Sequence, residues 1–199
     1  MFCDPVARLE SAYVFFRGRC EAAHNCDPHG AYRHLQYSQW VDELLKKMPT
    51  DLAKVNGDVT KLDGALYHQV TSSMYGEHLE QWAQHFDPSQ FLVIPSYYYY
   101  NDPESALHEI AAHVGSKVDA HIGKAKHANN YPTKQRIIGH VSEEKKTALS
   151  NLITPHMLKL RRVMCRLKSK GLKVGSWDDA NVRKQNWFFM SSEGLKDCD

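Results

Sequence analysis

The chain of 199 residues is 42% hydrophobic, which is enough for one globular domain with a core of its own. Its 25 basic and 23 acidic residues leave a formal charge of +2, so the surface is mixed and a nucleic-acid-binding arm is not indicated. The sequence has no stretch close to the roughly 20 apolar residues that span a bilayer, and it does not open with the layout of a signal peptide.

The first predicted element is a helix that begins almost at the first residue. Asp4 suits the cap of this helix and Pro5 suits its first position. The apolar positions of the helix are Val6, Leu9, Tyr13 and Phe16. A helix this close to Met1 suggests that further sequence precedes it in the natural protein.

The next segments differ in their composition. Residues 17–30 are polar and show no period, which predicts a loop. A second helix is predicted over 35–48. Residues 49–63, rich in Asp, Asn, Gly and Lys, predict a solvent-exposed connection.

Histidine and cysteine in the first loop raise the question of a metal site. His24, Cys26 and His29, with His34 nearby, are residue types that suit zinc. Their spacing does not match a standard zinc finger, and a chain with 12 histidines produces such groups by chance, so we assign no metal ligands. The five cysteines form no Cys-x-x-Cys pair, and their odd number leaves at least one unpaired within the chain.

The middle of the chain has the most regular pattern. A helix is predicted there, with Tyr75, Leu79, Trp82 and Phe86 at helical spacing. We interpret this set as a core stripe rather than as an aromatic surface for sugars. Asp87-Pro88 ends the helix, and the apolar run over 91–94 predicts a buried strand of a parallel sheet.

A further helix is predicted from Asp102-Pro103 to a stop at Gly115. Its apolar stripe consists of Leu107, Ile110, Ala111 and Val114. The tyrosines at 97–100 are interpreted as a half-buried strand end. Helix, buried strand, loop and helix in succession are typical of an α/β fold.

The last third of the chain begins with a long basic loop, predicted over 117–139. Residues 142–151 predict a helix, and Thr154-Pro155 predicts the start of a separate one. The segment from Lys168 onward is charged and punctuated by glycine, and it is interpreted as a tail.

Three blocks, taken in order, resemble the sulfotransferases that use 3′-phosphoadenosine-5′-phosphosulfate (PAPS). The first, Cys-Asp-Pro-Val-Ala-Arg-Leu-Glu-Ser-Ala-Tyr from Cys3 to Tyr13, is similar to the family's Arg-Asp-Pro-x-x-Arg-x-x-Ser-x-Tyr segment, which grips the 3′-phosphate. Ser11 matches the phosphate-binding serine, whereas Cys3 replaces the leading arginine. Arg8 compensates in our interpretation, because it lies three residues before Ser11 and shares its helix face.

The second block, residues 75–103, resembles the family's Tyr-x-x-x-Leu-x-x-Trp helix, its Phe-Pro-x-x-Gln-Leu-Leu-Val strand and its Asp-Pro helix start. The third runs from Lys124 to Pro132 and continues at Thr154-Pro155-His156. It resembles the basic loop that covers the cofactor, best known in glycosaminoglycan sulfotransferases, and the closing Pro-His helix.

The resemblance implies a P-loop-like sulfotransferase fold with an incomplete parallel sheet flanked by helices. Residues 1–167 would be the C-terminal portion of the sulfotransferase domain, and residues 168–199 a charged tail. The implied reaction moves a sulfonate from PAPS, the co-substrate, to a hydroxyl or amine of a carbohydrate acceptor, with heparan-sulfate enzymes as the nearest type. The implied cofactor-binding residues are Ser11, Arg8, Lys124 and Lys126. The alternative for Arg8 and the lysines is that they are solvated surface charges.

The family's phosphosulfate loop, a Pro-Lys-x-Gly-Thr-Thr type of segment, does not occur in this sequence, and neither does a Gly-x-x-x-x-Gly-Lys loop. The catalytic residues are therefore unassigned. Three functions stay open: a fragment of a working sulfotransferase, a catalytically inactive module that binds a nucleotide or a sulfated glycan, and a metal-binding or structural partner of another chain.

The expected partners follow from the same resemblance. We expect a glycan or small-alcohol acceptor, no nucleic acid, and self-association through an unpaired sheet edge. Glycan enzymes of this family lie in the Golgi lumen or membrane, and that location is implied by the resemblance alone.

Overall fold

The computed structural model describes residues 5–23, 35–117, 141–175 and Cys198. The described chain is mostly helical with a small parallel sheet, so the predicted α/β class is confirmed at that level. It forms two compact units. Within the described ranges the first unit comprises residues 5–77 and 141–157, and the second comprises residues 78–117, 158–175 and Cys198.

Helix α1 spans Pro5–Ala23, so the predicted start is confirmed. The helix buries Leu9, Tyr13 and Val14. The predicted loop over 17–30 is wrong as far as Ala23, and residues 24–30 lie outside the described ranges. Arginine, glutamate and alanine in this stretch favour a helix, and no proline interrupts it, so the missing apolar period did not mark an end.

Helix α2 spans Tyr37–Lys54 and is confirmed, but it continues past its predicted end. Its start is fixed by a capping box, in which the backbone N–H of Gln36 donates to Gln39 Oε1 at 2.8 Å. Pro49 lies inside the helix and withholds the N–H that the Leu45 carbonyl would accept. The exposed connection therefore begins only after Lys54, where Asn56 has a φ of +54°.

The core of the first unit is built on aromatic rings from α1 and α2. The ring centroids of Tyr13 and Tyr37 are 5.1 Å apart, and those of Tyr37 and Trp40 are 5.8 Å apart. The Tyr13 hydroxyl donates to the Leu35 carbonyl at 2.5 Å. A short helix, α3, spans Ala65–Thr71 and packs against both α1 and α2.

Helix α4 spans Tyr75–Trp82, and strand β1 follows at Leu92–Val93. Strand β1 pairs in parallel with β2, Lys173–Val174, with Leu92 opposite Lys173. Val93 and Ile94 are buried, so the predicted buried strand of a parallel sheet is confirmed. Its partner β2 comes from the segment that the sequence presents as a charged tail.

Helix α5 spans Ser96–Asn101, so the interpretation of the tyrosine run at 97–100 as a strand end is wrong. Pro95 has no N–H to give to a sheet, so the strand ends before it and the chain turns into a helix. Three of the four tyrosines are half-buried, and Tyr100 is exposed.

Helix α6 spans Pro103–His113 and confirms both of its predicted ends. The Asp102 carboxylate accepts from the backbone N–H of Ser105 at 3.0 Å and caps the helix. Beyond the end, Gly115 has a φ of +72°, and the N–H of Ser116 reaches the Ala111 carbonyl at 2.8 Å.

Helix α7 spans Glu143–Lys168 without a break, so the predicted restart at Thr154-Pro155 is wrong. Pro155 removes one backbone hydrogen bond, to the Asn151 carbonyl, but buried side chains continue on both sides of it. These are Leu149, Ile153, Met157 and Leu160. The burial of these side chains outweighs the tendency of Thr154-Pro155 to begin a new helix. A disulfide links Cys165 of α7 to Cys198.

None of the helices in the described ranges is long and apolar enough to cross a membrane.

Candidate functional site

Helix α1 carries two of the predicted cofactor-binding residues one turn apart. Arg8 is half-buried, and its Nη1 donates to the Gln69 carbonyl at 3.1 Å and to Ser73 Oγ at 2.9 Å. Its Nε and Nη2 make no hydrogen bond within the described part of the chain. Ser11 is exposed. The Arg8 side chain is therefore fixed by hydrogen bonds and is not a freely solvated charge. Its remaining N–H groups are available as donors.

Buried polar side chains follow one another at intervals of four residues along the segment that holds α3 and the start of α4. Gln69, Ser73 and Glu77 are 4%, 0% and 6% exposed, and they are the buried polar residues of the described ranges. Ser73 Oγ accepts from Arg8 and donates to the Gln69 carbonyl at 3.0 Å. These hydrogen bonds pair buried polar groups, which would destabilise the fold if they were buried without a partner.

Glu77 is paired with an imidazole from α7. Nδ1 of His156 lies 2.8 Å from Glu77 Oε1, and the two side chains are 13% and 7% exposed. A carboxylate on one ring nitrogen fixes the orientation of the ring and sets which nitrogen carries the proton. We call Arg8, Gln69, Ser73, Glu77 and His156 the polar seam. All five belong to the first unit.

Several predicted residues cannot be compared with the polar seam. Lys124 and Lys126 lie outside the described residues, as do Cys3 and the His24, Cys26, His29 and His34 group. Within the described ranges, no three His, Cys, Asp or Glu side chains are grouped to hold a metal ion.

The aromatic stripe of the second block divides into a buried and an exposed part. Tyr75 and Leu79 are buried, so the core interpretation is correct for them. It is wrong for Trp82 and Phe86, which are 60% and 54% exposed. Helix α4 ends at Trp82, so the helical spacing that placed Phe86 on a buried face stops applying there.

Two tyrosines have raised pKa values. Burial, and then the hydrogen bond to Glu109 at 3.0 Å, raise the pKa of Tyr98 to about 12. Burial, and then the hydrogen bond to Asp51, raise the pKa of Tyr67 to about 12. Both hydroxyls stay protonated near neutral pH and act as hydrogen-bond donors rather than as acids or bases.

Sequence reasoning found part of the polar seam and missed the rest. It singled out Arg8, and it placed Glu77 and His156 inside resembling blocks without giving them a role. Gln69 and Ser73 were missed. The signal that was present is a polar residue at every fourth position, at Gln69, Ser73 and Glu77. It does not mark one helix face, because α3 ends at Thr71 and α4 begins at Tyr75.

Comparisons of the chain with protein-family models, with curated proteins and with solved structures found no match.

Proposed function

We propose that this chain is the C-terminal portion of a PAPS-dependent sulfotransferase of the carbohydrate type, and that α1 binds the 3′-phosphate of the cofactor. The observation that carries the proposal is the pairing of an exposed Ser11 with a held Arg8 one turn before it. The order of α4, β1 and the Asp102-capped α6 supports it, because it follows the order of the second resembling block.

The local chemistry suits an anion. Arg8 is held through Nη1 by Gln69 and Ser73, so its remaining donors are oriented before a ligand arrives. The Ser11 hydroxyl adds a neutral donor one turn further along the same helix. Charge-assisted hydrogen bonds of this kind are among the stronger ones in proteins.

Sulfonate transfer also needs cations around the 5′-phosphosulfate and a base for the acceptor hydroxyl or amine. In our proposal this chain supplies the 3′-phosphate side, with Lys124 and Lys126 as further cations. The 5′ side, in a P-loop-like fold, comes from a segment that these 199 residues do not contain. The proposed acceptor is a carbohydrate of the glycosaminoglycan type, and the proposed location is the Golgi lumen.

Calorimetric titration with two nucleotides tests the proposal. We expect 3′-phosphoadenosine 5′-phosphate to bind more tightly than adenosine 5′-phosphate, which lacks the 3′-phosphate. Ser11→Ala should weaken binding of the first nucleotide by about tenfold to a hundredfold, the loss of one hydrogen bond to a charged group, and leave the second unchanged.

The matched control is Ser150→Ala, which removes an exposed hydroxyl from α7. It should bind both nucleotides as the natural chain does. Equal affinity for the two nucleotides, or equal losses in the two variants, would contradict the proposal.

A second candidate is a catalytically inactive module that binds a nucleotide or a sulfated glycan. The replacement of the family's leading arginine by Cys3 favours it. This candidate predicts that the nucleotide binds through Ser11. It also predicts that PAPS and a glycan acceptor give no sulfated product, even after the segment for the 5′ side has been supplied. These two results together would favour the inactive module.

A further inference from the structure

The second half of α7 and strand β2 form the most basic part of the chain. Residues 159–173 contain seven basic residues and no acidic one: Lys159, Arg161, Arg162, Arg166, Lys168, Lys170 and Lys173. The rest of the chain has 18 basic and 23 acidic residues, so the net charge of +2 hides a strong local excess.

Three of these cations lie along one face of α7. The Glu80 carboxylate reaches two of them, because its Oε1 accepts from Arg166 Nη2 at 2.8 Å and its Oε2 lies 3.0 Å from Lys159 Nζ. Arg162 comes three residues after Lys159 and four before Arg166, so it shares their face. We call Lys159, Arg162 and Arg166 the basic row. It extends over about 10 Å, two turns of the helix.

The positive charge of this segment is only partly neutralised. Glu80 offsets one of the three charges of the basic row. Arg162 is exposed and has no ion pair within the described ranges. Lys170 and Lys173, which follow α7, are also exposed, and neither forms an ion pair with any residue that the structure describes. The segment therefore presents an excess of positive charge to solvent, which suits a polyanion.

A disulfide in the same segment selects the class of polyanion. Cys165 lies between Arg162 and Arg166 in the sequence and is bonded to Cys198. Disulfides form and persist in secreted proteins and in the lumen of the secretory pathway, and they are rare in the cytosol and the nucleus. Nucleic acids are found in the latter compartments, whereas the linear polyanions of the secretory pathway and the cell surface are sulfated polysaccharides.

We propose that the basic row binds a sulfated polysaccharide. A polysaccharide with anionic groups on successive sugars presents its charges in a line, and the basic row presents cations one helical turn apart along a line. The guanidinium of Arg162 offers two parallel N–H donors to the oxygens of one sulfate. A polysaccharide of this class is also the acceptor in the proposed function, but binding at the basic row requires no sulfonate transfer.

Titration of the full chain with heparin, a highly sulfated polysaccharide, tests the proposal. We expect heparin to bind at least about tenfold more tightly than hyaluronan, which carries carboxylates but no sulfates, and binding should weaken as salt rises. Arg162→Gln with Lys170→Gln should weaken heparin binding by about tenfold, because it removes two exposed cations.

The matched control is Lys46→Gln with Lys61→Gln, which removes two exposed cations from the first unit. It should bind heparin nearly as the natural chain does. An equal loss in this control would overturn the proposal, and so would a chain that does not bind heparin. A single-stranded RNA homopolymer that binds as tightly as heparin would also overturn it, because the basic row would then not distinguish a sulfated polysaccharide from a nucleic acid.

Two further measurements separate this proposal from the proposed function and test the disulfide. Ser11→Ala should leave heparin binding unchanged, so a failure of the nucleotide site and a failure of the basic row are distinguishable. Mass spectrometry of the chain isolated from its natural source without reduction should show the Cys165–Cys198 bond. Two free thiols at these positions would overturn the choice of a polysaccharide as the partner.

Discussion

Arg8 and His156 approach the same segment from different helices, and each meets a buried polar group there. Ser73 and Glu77 would be costly inside the first unit without such partners, because a buried hydroxyl or carboxylate loses its hydration. Arg8 Nη1 donates a hydrogen bond to Ser73 Oγ at 2.9 Å, and Nδ1 of His156 lies 2.8 Å from Glu77 Oε1. The two contacts differ in consequence. Arg8 keeps donors for a ligand, whereas the buried Glu77 and the largely buried His156 contact each other.

Removal of the imidazole should therefore destabilise the first unit strongly. We expect His156→Ala to lower the free energy of unfolding by about 3 kcal/mol, because it removes one hydrogen-bond partner of a buried carboxylate and leaves a small cavity. Urea unfolding followed by circular dichroism measures the change. Combined with Glu77→Ala, the double variant should lose clearly less than the two single variants added together.

A less buried ion pair of the same unit is the matched control. Lys145 and Asp42 are 2.6 Å apart, with side chains 30% and 53% exposed, so Lys145→Ala should lower the free energy of unfolding by less than about 1 kcal/mol. Equal effects of the two substitutions would show that burial does not set the strength of the Glu77–His156 pair.

At the scale of elements, the sequence predicted helix ends best where one residue decides the geometry. Pro5 and Pro103 begin helices and Gly115 follows the end of one, and each acts through its own backbone preferences. The sequence-based prediction of helix ends failed where the burial of apolar side chains outweighs a proline that locally disfavours a helix. Pro49 and Pro155 lie inside α2 and α7, and the buried side chains on both sides of Pro155 pack only if α7 continues.

If Pro155 is tolerated rather than required, its replacement should stabilise the helix. Pro155→Ala restores an N–H to the Asn151 carbonyl, and we expect the free energy of unfolding to rise by about 1–2 kcal/mol, net of the greater freedom of the unfolded chain. Thermal and urea unfolding measure it.

Pro103→Ala is the control, because an N–H at the first position of α6 would have no acceptor within the helix. Proline therefore costs no helical hydrogen bond at this position. Pro103→Ala should give no gain. A loss of stability in Pro155→Ala would mean that Pro155 shapes α7 in a way that its backbone alone does not explain.

The candidate site was predictable only as far as local motifs reach. Arg8 and Ser11 stand in one short block, so their shared helix could be read directly. The contacts of Arg8 with Gln69 and Ser73 join positions more than 60 residues apart, and no local spacing encodes which helix faces meet over that distance. The exposure of Trp82 was missed because helical spacing shows which residues share a face but not where the covering element ends.

At the scale of the whole molecule, the sheet joins segments that lie far apart in the sequence. Strand β1 was predicted because it is apolar, and β2 was not, because charged residues surround Lys173 and Val174. The bonds to β2 use the carbonyls of Phe91 and Val93. Leu92 therefore directs its own N–H and C=O to the opposite edge, and within the described ranges no strand pairs with that edge.

An open edge of this kind favours pairing with a second copy of the chain, so we expect concentration-dependent self-association in sedimentation velocity experiments. Leu92→Pro removes the N–H that faces the open edge, spares the bonds to β2 and should reduce self-association by about tenfold or more. Leu92→Ala is its control, because it shortens the same side chain and keeps the N–H. A monomer at all concentrations would contradict the edge hypothesis. An equal loss with alanine would instead assign the association to the side chain, since backbone pairing does not distinguish leucine from alanine.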